Sequence, residues 1–151
     1  MKIVDGLIGG LAGAISVTII HEIVRKIYPG APRLDRLGEQ GAVKLMEKTT
    51  GERPAKKDMY GAALAGDLIA NALYYGVAAA NAKHPIRRGG ILGITAGIGA
   101  IGLPGKMGLN PEYTAGSLQK KIITIGLYTI GGIIAGAAVN YFRSDRPKLT
   151  H

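Results

Sequence analysis

Uncharged, mainly apolar residues gather in four windows, and the charges crowd between them. The first window runs from Ile3 to Val24 around the uncharged core Gly6–Ile20, and the second from Met59 to Ala82, interrupted by Asp67. The third, Gly89–Gly105, and the fourth, Ile122–Phe142, carry no charge at all. A membrane-crossing helix needs about 20 mainly apolar residues, with about 17 as the lower limit, whereas a membrane strand needs only about 9–11. The pattern therefore predicts an all-α integral membrane protein, a single membrane domain over residues 1–151. Its four transmembrane helices fall at about 3–24, 59–82, 89–105 and 122–142. Glu22 must then lie near a membrane edge, and Asp67 must face protein. A soluble bundle built from these windows would have too little polar face to solvate. The first window has only Lys2 before it and runs into His21-Glu22 rather than a small-residue cleavage site, so it reads as a retained helix rather than a signal peptide.

The long link between the first two windows opens with Tyr28-Pro29-Gly30-Ala31-Pro32, which must break the helix. From about residue 33 to 48 a helical pattern returns, with Leu34, Leu37, Gly41 and Leu45 on one face. Arg36, Glu39, Lys44, Glu47 and Lys48 occupy the others. This predicts an amphipathic cytoplasmic loop helix lying on the membrane surface or across the mouth of the bundle; a solvated helix with ordinary charge pairs is the competing reading. Thr49–Lys57 reads as an exposed turn, and Pro104-Gly105 as the end of the third helix.

Charge adds orientation to this picture. Nineteen Lys/Arg against ten Asp/Glu give a net charge of +9, which on a soluble domain would suggest nucleic acid. Here the cations sort by membrane side. Lys2, Lys83, Arg87, Arg88, Arg143, Arg146 and Lys148 fall with the termini, against a larger set in the first and last loops. The positive-inside rule places those loops in the cytoplasm and both termini in the periplasm. Membrane lipids are the expected partners, and nucleic acid is not. The sequence has no cysteine, which excludes a disulfide scaffold, a cysteine zinc site and a cysteine nucleophile. No metal site or cofactor is expected.

The 24 glycines are the unusual part of the composition. Gly6/Gly10, Gly9/Gly13, Gly89/Gly93/Gly97 and Gly132/Gly136 repeat at four-residue spacing. On a membrane helix such a stripe lets another backbone come close, within the chain, between copies, or both. A homo-oligomer or a membrane partner is expected on this ground. Tyr28, Tyr60 and Tyr141 fall near span ends, as interfacial anchors do. Gly97-Ile98-Gly99-Ala100-Ile101-Gly102 matches GxGxxG but lacks the preceding strand and later acid of a dinucleotide site. The phosphate-loop likeness of Leu103–Met107 fails at Ala100 and Met107.

Ionisable groups inside membrane segments are costly and are candidate functional residues by default. Asp67 lies about eight residues inside the second span, with Asn71 and Tyr74 at i+4 and i+7, a carboxylate, an amide and a phenol on one face. A carboxylic acid hydrogen-bonded to a neighbouring helix is the structural alternative. Glu22 sits near the cytoplasmic end of the first span beside His21, with Arg25 and Lys26 in reach as local ion-pair partners. Glu22 and Asp67 share the cytoplasmic half and meet if the first two helices pack together. His21-Glu22 is not HExxH, because Arg25 stands where the second histidine belongs. In the loop, Arg33 and Arg36 could bind lipid phosphates with Asp35 orienting them, or Asp35 could cap the helix or pair with either arginine.

His21-Glu22, Ala31-Pro32-Arg33 with Asp35 and Leu37-Gly38, Ala65-Gly66-Asp67 with Tyr74-Tyr75, and Leu103-Pro104-Gly105 with Gly108-Leu109 occur in this order. Over roughly residues 6–140 the set resembles a family of small, uncharacterised four-span bacterial inner-membrane proteins. The resemblance implies four spans and a bacterial inner-membrane location, and it transfers no catalytic role. The residues support three functional expectations. One is a channel- or transporter-like protein with an intramembrane acidic site. The others are a lipid-headgroup binder or enzyme, and a structural subunit of a membrane complex.

Overall fold

The computed structural model describes residues 2–79 and 82–144; positions 80 and 81 of the second window and the basic Arg146 and Lys148 lie outside them. Among the described residues the chain is helical, with no strand. The elements are α1 (Lys2–Ile27), α2 (Leu34–Thr50), a 3-10 turn (Lys56–Met59), α3 (Tyr60–Ala79), α4 (Pro85–Lys106), the short α5 (Glu112–Ala115) and α6 (Leu118–Ser144). The four windows become the four long helices, and the loop pattern becomes α2. Three helices, α1 from Ile3, α4 and α6, are long and apolar enough to cross a membrane. The second window, α3, carries Asp67 and Asn71 within its length and is not among these three.

The long helices run antiparallel in sequence order. α1 and α6 form the centre, α3 packs on α1, and α4 packs on α6. Glycine sets these seams. A methyl added at Gly10 would meet the Ala72 carbonyl, one at Gly89 the Gly132 carbonyl, and one at Gly13 the Gly131 carbonyl. Every stripe noted in the sequence therefore lies on a seam within the chain. The interior that results is made of small residues around Val17, Tyr75 and Ala135. Large apolar side chains point outward instead: Ile3, Leu7, Leu11, Ile15, Ile19 and Ile23 form one exposed row along α1, and Ile91, Ile94 and Ile98 another on α4. Small-inside and large-outside is compatible with helices that pack closely among themselves in a membrane.

Several local outcomes differ from the sequence expectation. Pro104 does not stop α4, which continues to Lys106. A proline leaves the carbonyl four residues earlier without its helical donor, and here the Thr114 hydroxyl donates to that Ala100 carbonyl at 2.8 Å. Leu45 is 64 % exposed, and Val43 is the residue of α2 that is buried. α2 lies across one end of the bundle, where Lys44 donates to the Met107 carbonyl, Gln40 accepts from the Asn110 N–H, and the Arg33 N–H is bonded to Tyr113. It ends at Gly51, whose left-handed φ of 77° closes a bond from its N–H to Glu47. At the opposite end, Arg143 reaches Asp5 at 3.5 Å and donates to the Ala82 carbonyl at 2.9 Å. Asp5 is 3 % exposed, so this pair ties the start of α1, the end of α6 and the link before α4 into one unit.

Candidate functional site

α1 and α3 touch through glycine at one end. At the other end α2 lies over them and the three helices leave a cleft of about 40 Å³, space for a few waters, since roughly 10–15 Å³ accommodates one. Thr18, His21 and Glu22 line it from α1, Asp35 from α2, and Tyr60 and Asp67 from α3. The exposed residues Tyr60, Leu64 and Asp67 mark its open edge on α3.

The helices fix each of these groups for identifiable reasons. His21 is 5 % exposed, and its Nε2 lies 3.1 Å from the Pro32 carbonyl. A carbonyl only accepts, so Nε2 carries the proton. Its other ring nitrogen, Nδ1, faces Glu22 at 3.9 Å. Glu22 is held by Arg25 one turn on, with Nη2 and Nε at 2.6 and 3.3 Å from its two oxygens. Asp35 accepts a forked pair of bonds from Arg33, Nε at 2.9 Å and Nη2 at 2.6 Å. Burial pushes the Asp35 carboxyl up, but the Arg33 guanidinium and the Arg36 N–H outweigh it and hold the group below the usual carboxylate range. The same bond raises Arg33. Two of the three acids on the cleft thus bring their own arginine.

Asp67 brings none. Among the described residues no cation stands within ion-pair distance of it, and its nearest polar influences are His21 across the cleft and Asn71 one turn further along α3. Below Asp67 the polar groups continue inward. Asn71 is buried, and Tyr75, 1 % exposed, donates from its hydroxyl to the Tyr128 carbonyl at 2.7 Å. The column stops at the close seam of Gly6, Gly10 and Gly76.

Of the residues singled out in the sequence, the structure brings His21, Glu22 and Asp67 to one cleft, with Asn71 directly beneath. Tyr74 does not join them: its hydroxyl donates to the Leu92 carbonyl on α4 at 2.9 Å, and its ring stands edge-on to Tyr75. Asp35, expected at lipid headgroups, lines the cleft instead, while Arg36 is exposed beside it. The asset that sequence reasoning missed is this third carboxylate, delivered by a helix that only the tertiary fold lays over α1 and α3. No trio of His, Asp or Glu among the described residues is arranged to hold a metal ion. These features define a small helical bundle with a polar cleft at one end. Comparison with protein-family models, curated proteins and solved structures gives no match.

Proposed function

We propose that this chain is a channel- or transporter-like protein of the bacterial inner membrane, with α3 crossing beside α1, α4 and α6, and that it moves protons or small cations through the cleft lined by His21 and Asp67. The observation that carries this reading is the uneven pairing of the three acids. Arg25 and Arg33 neutralise Glu22 and Asp35, which leaves Asp67 as the acid of the cleft without an arginine partner, available to exchange a proton or hold a cation. An intramembrane carboxylate with a buried amide and phenol behind it is the chemistry of a proton relay. Passage beyond Tyr75 requires the α1–α3 seam to part or a second copy to complete the path, in keeping with a homo-oligomer. Placement of the loops in the cytoplasm and the termini in the periplasm follows the charge bias and belongs to the same proposal. The lipid-headgroup reading of Arg33 is weaker, because Asp35 already occupies its fork.

The test is flux through purified protein in liposomes carrying a pH-sensitive dye under an imposed gradient. Wild type should acidify the lumen, Asp67→Asn should fall to the rate of empty liposomes, and Glu22→Gln should retain part of the flux. Equal rates for wild type and Asp67→Asn, with both proteins folded by circular dichroism, would remove the proposal.

A further inference from the structure

The end of the bundle opposite the cleft carries a second concave site that the proposed transport does not use. The link before α4 and the first two turns of that helix enclose a shallow groove of about 240 Å³, lined by Ala82, Lys83, His84, Arg87, Arg88 and Ile91. Four of these six side chains are basic or basic-capable, and no carboxylate lines the groove. The contrast with the rest of the molecule is informative. Arg25, Arg33 and Arg143 each meet an acid, whereas Lys83, Arg87 and Arg88 are exposed and form no ion pair among the described residues. Arg143 fixes the floor through the Ala82 carbonyl and Asp5, so the groove is a formed surface.

Its place in the fold adds the second constraint. α4 is one of the helices apolar enough to cross a membrane, and the groove sits at its very start, with the polar wall at the helix end and Ile91 one to two turns further in. From Ile91 the exposed row continues with Ile94 and Ile98. A ligand that fits must be anionic at one end and apolar at the other. We infer that the Lys83–His84–Arg87–Arg88 groove binds the phosphate headgroup of an anionic phospholipid, whose acyl chains lie along the isoleucine row of α4. This rests on the membrane reading proposed above and is independent of ion movement. Each basic residue near an anionic headgroup contributes roughly five-fold in affinity.

The experiment reconstitutes the full chain in nanodiscs of mixed phosphatidylglycerol and phosphatidylcholine, and quantifies lipid retained after extraction by native mass spectrometry. Wild type should retain phosphatidylglycerol in excess of the bulk ratio. Joint substitution Lys83→Gln, Arg87→Gln and Arg88→Gln should weaken that retention at least roughly 10-fold. Arg53→Gln with Lys57→Gln, on the exposed turn, should leave it unchanged. If the triple variant does not purify, the single variants at exposed Lys83 and Arg88 each carry the test, with roughly five-fold effects. Retention unchanged in these variants overturns the inference. So does full displacement of the lipid by excess inorganic phosphate, which would make the groove a free-phosphate site. Failure of the wild type to incorporate into any bilayer would instead refute the membrane reading.

Discussion

Glycine at the α4–α6 seam offers a direct test of what holds the bundle together. An alanine at Gly97 would set its Cβ 2.6 Å from the Ile125 Cα, and one at Gly93 would set its own 2.6 Å from the Thr129 Cα. Ordinary contact begins at 3.4 Å, so the methyl at Gly97 forces the seam open by about 0.8 Å, the difference between those two distances, and the one at Gly93, which also meets the Tyr128 carbonyl, forces it at least as far. Both obstacles are backbone atoms and cannot rotate aside. A radial gap of about 0.5–1 Å forfeits roughly a quarter to a half of each van der Waals well it crosses, and such overpacking typically costs about 1–3 kcal/mol. Gly102 is the internal control. It lies in the same helix with nothing within 4 Å of an added Cβ, and alanine there gains up to about 1 kcal/mol of helix propensity. Thermal unfolding in detergent, followed by far-UV circular dichroism, should place Gly93→Ala and Gly97→Ala below wild type and Gly102→Ala at or above it. Coincident midpoints for all three variants would refute the view that close backbone approach stabilises this seam.

Three further outcomes follow from single contacts. Thr114→Val strands the Ala100 carbonyl freed by Pro104 and should lower unfolding stability by about 1–3 kcal/mol, measured by denaturant titration; an unchanged midpoint would show that the hydroxyl is dispensable. Tyr75→Phe removes the bond to the Tyr128 carbonyl and should cost about 1 kcal/mol in the same titration, with helix content unchanged. Asp35 titrates lower when folded than when unfolded, so its pair with Arg33 stabilises the chain above the usual carboxylate range and is lost as pH falls through the lowered value. In Arg33→Gln the acid limb of the stability profile should therefore move to higher pH, and an unmoved limb would mean that the pair contributes nothing to folding.

The helical architecture was legible because membrane-length apolar windows and four-residue glycine spacing are local patterns, and each window became one long helix. Convergence of Glu22 and Asp67 could be stated only as a condition, since it depends on α1 packing against α3. The glycine stripes and the antiparallel path together satisfy that condition. Long-range pairings left no such mark. Asp35 carries no sequence sign that α2 lays it on the cleft, and Thr114 none that its hydroxyl serves a carbonyl fourteen residues away. Asp5 and Arg143 were readable in principle, because an up-and-down path puts the first turn of α1 and the last turn of α6 at the same end. Leu45 misled because α2 touches the bundle along a narrow strip centred on Val43, so only part of an apolar face becomes buried.

The position of the cleft follows from the same packing rule that closes the rest of the molecule. Along α1, small residues meet α3 at Gly6 and Gly10, where the backbones come too close to admit water. From Val17 onward the facing side chains are larger, and Thr18, His21 and Glu22 line the cleft. A carboxylate placed in the tight half would lose its hydration without a partner, at a cost of several kcal/mol. Asp67 stands instead at the other half of the seam, where a cleft of about 40 Å³ can keep it wet. The change from glycine to large polar residues along a single seam thus sets the closed half apart from the acid's cleft, and under the transport reading proposed above Gly10→Ala, whose methyl would meet the Ala72 carbonyl, should raise the dye-reported proton flux in liposomes above that of wild type.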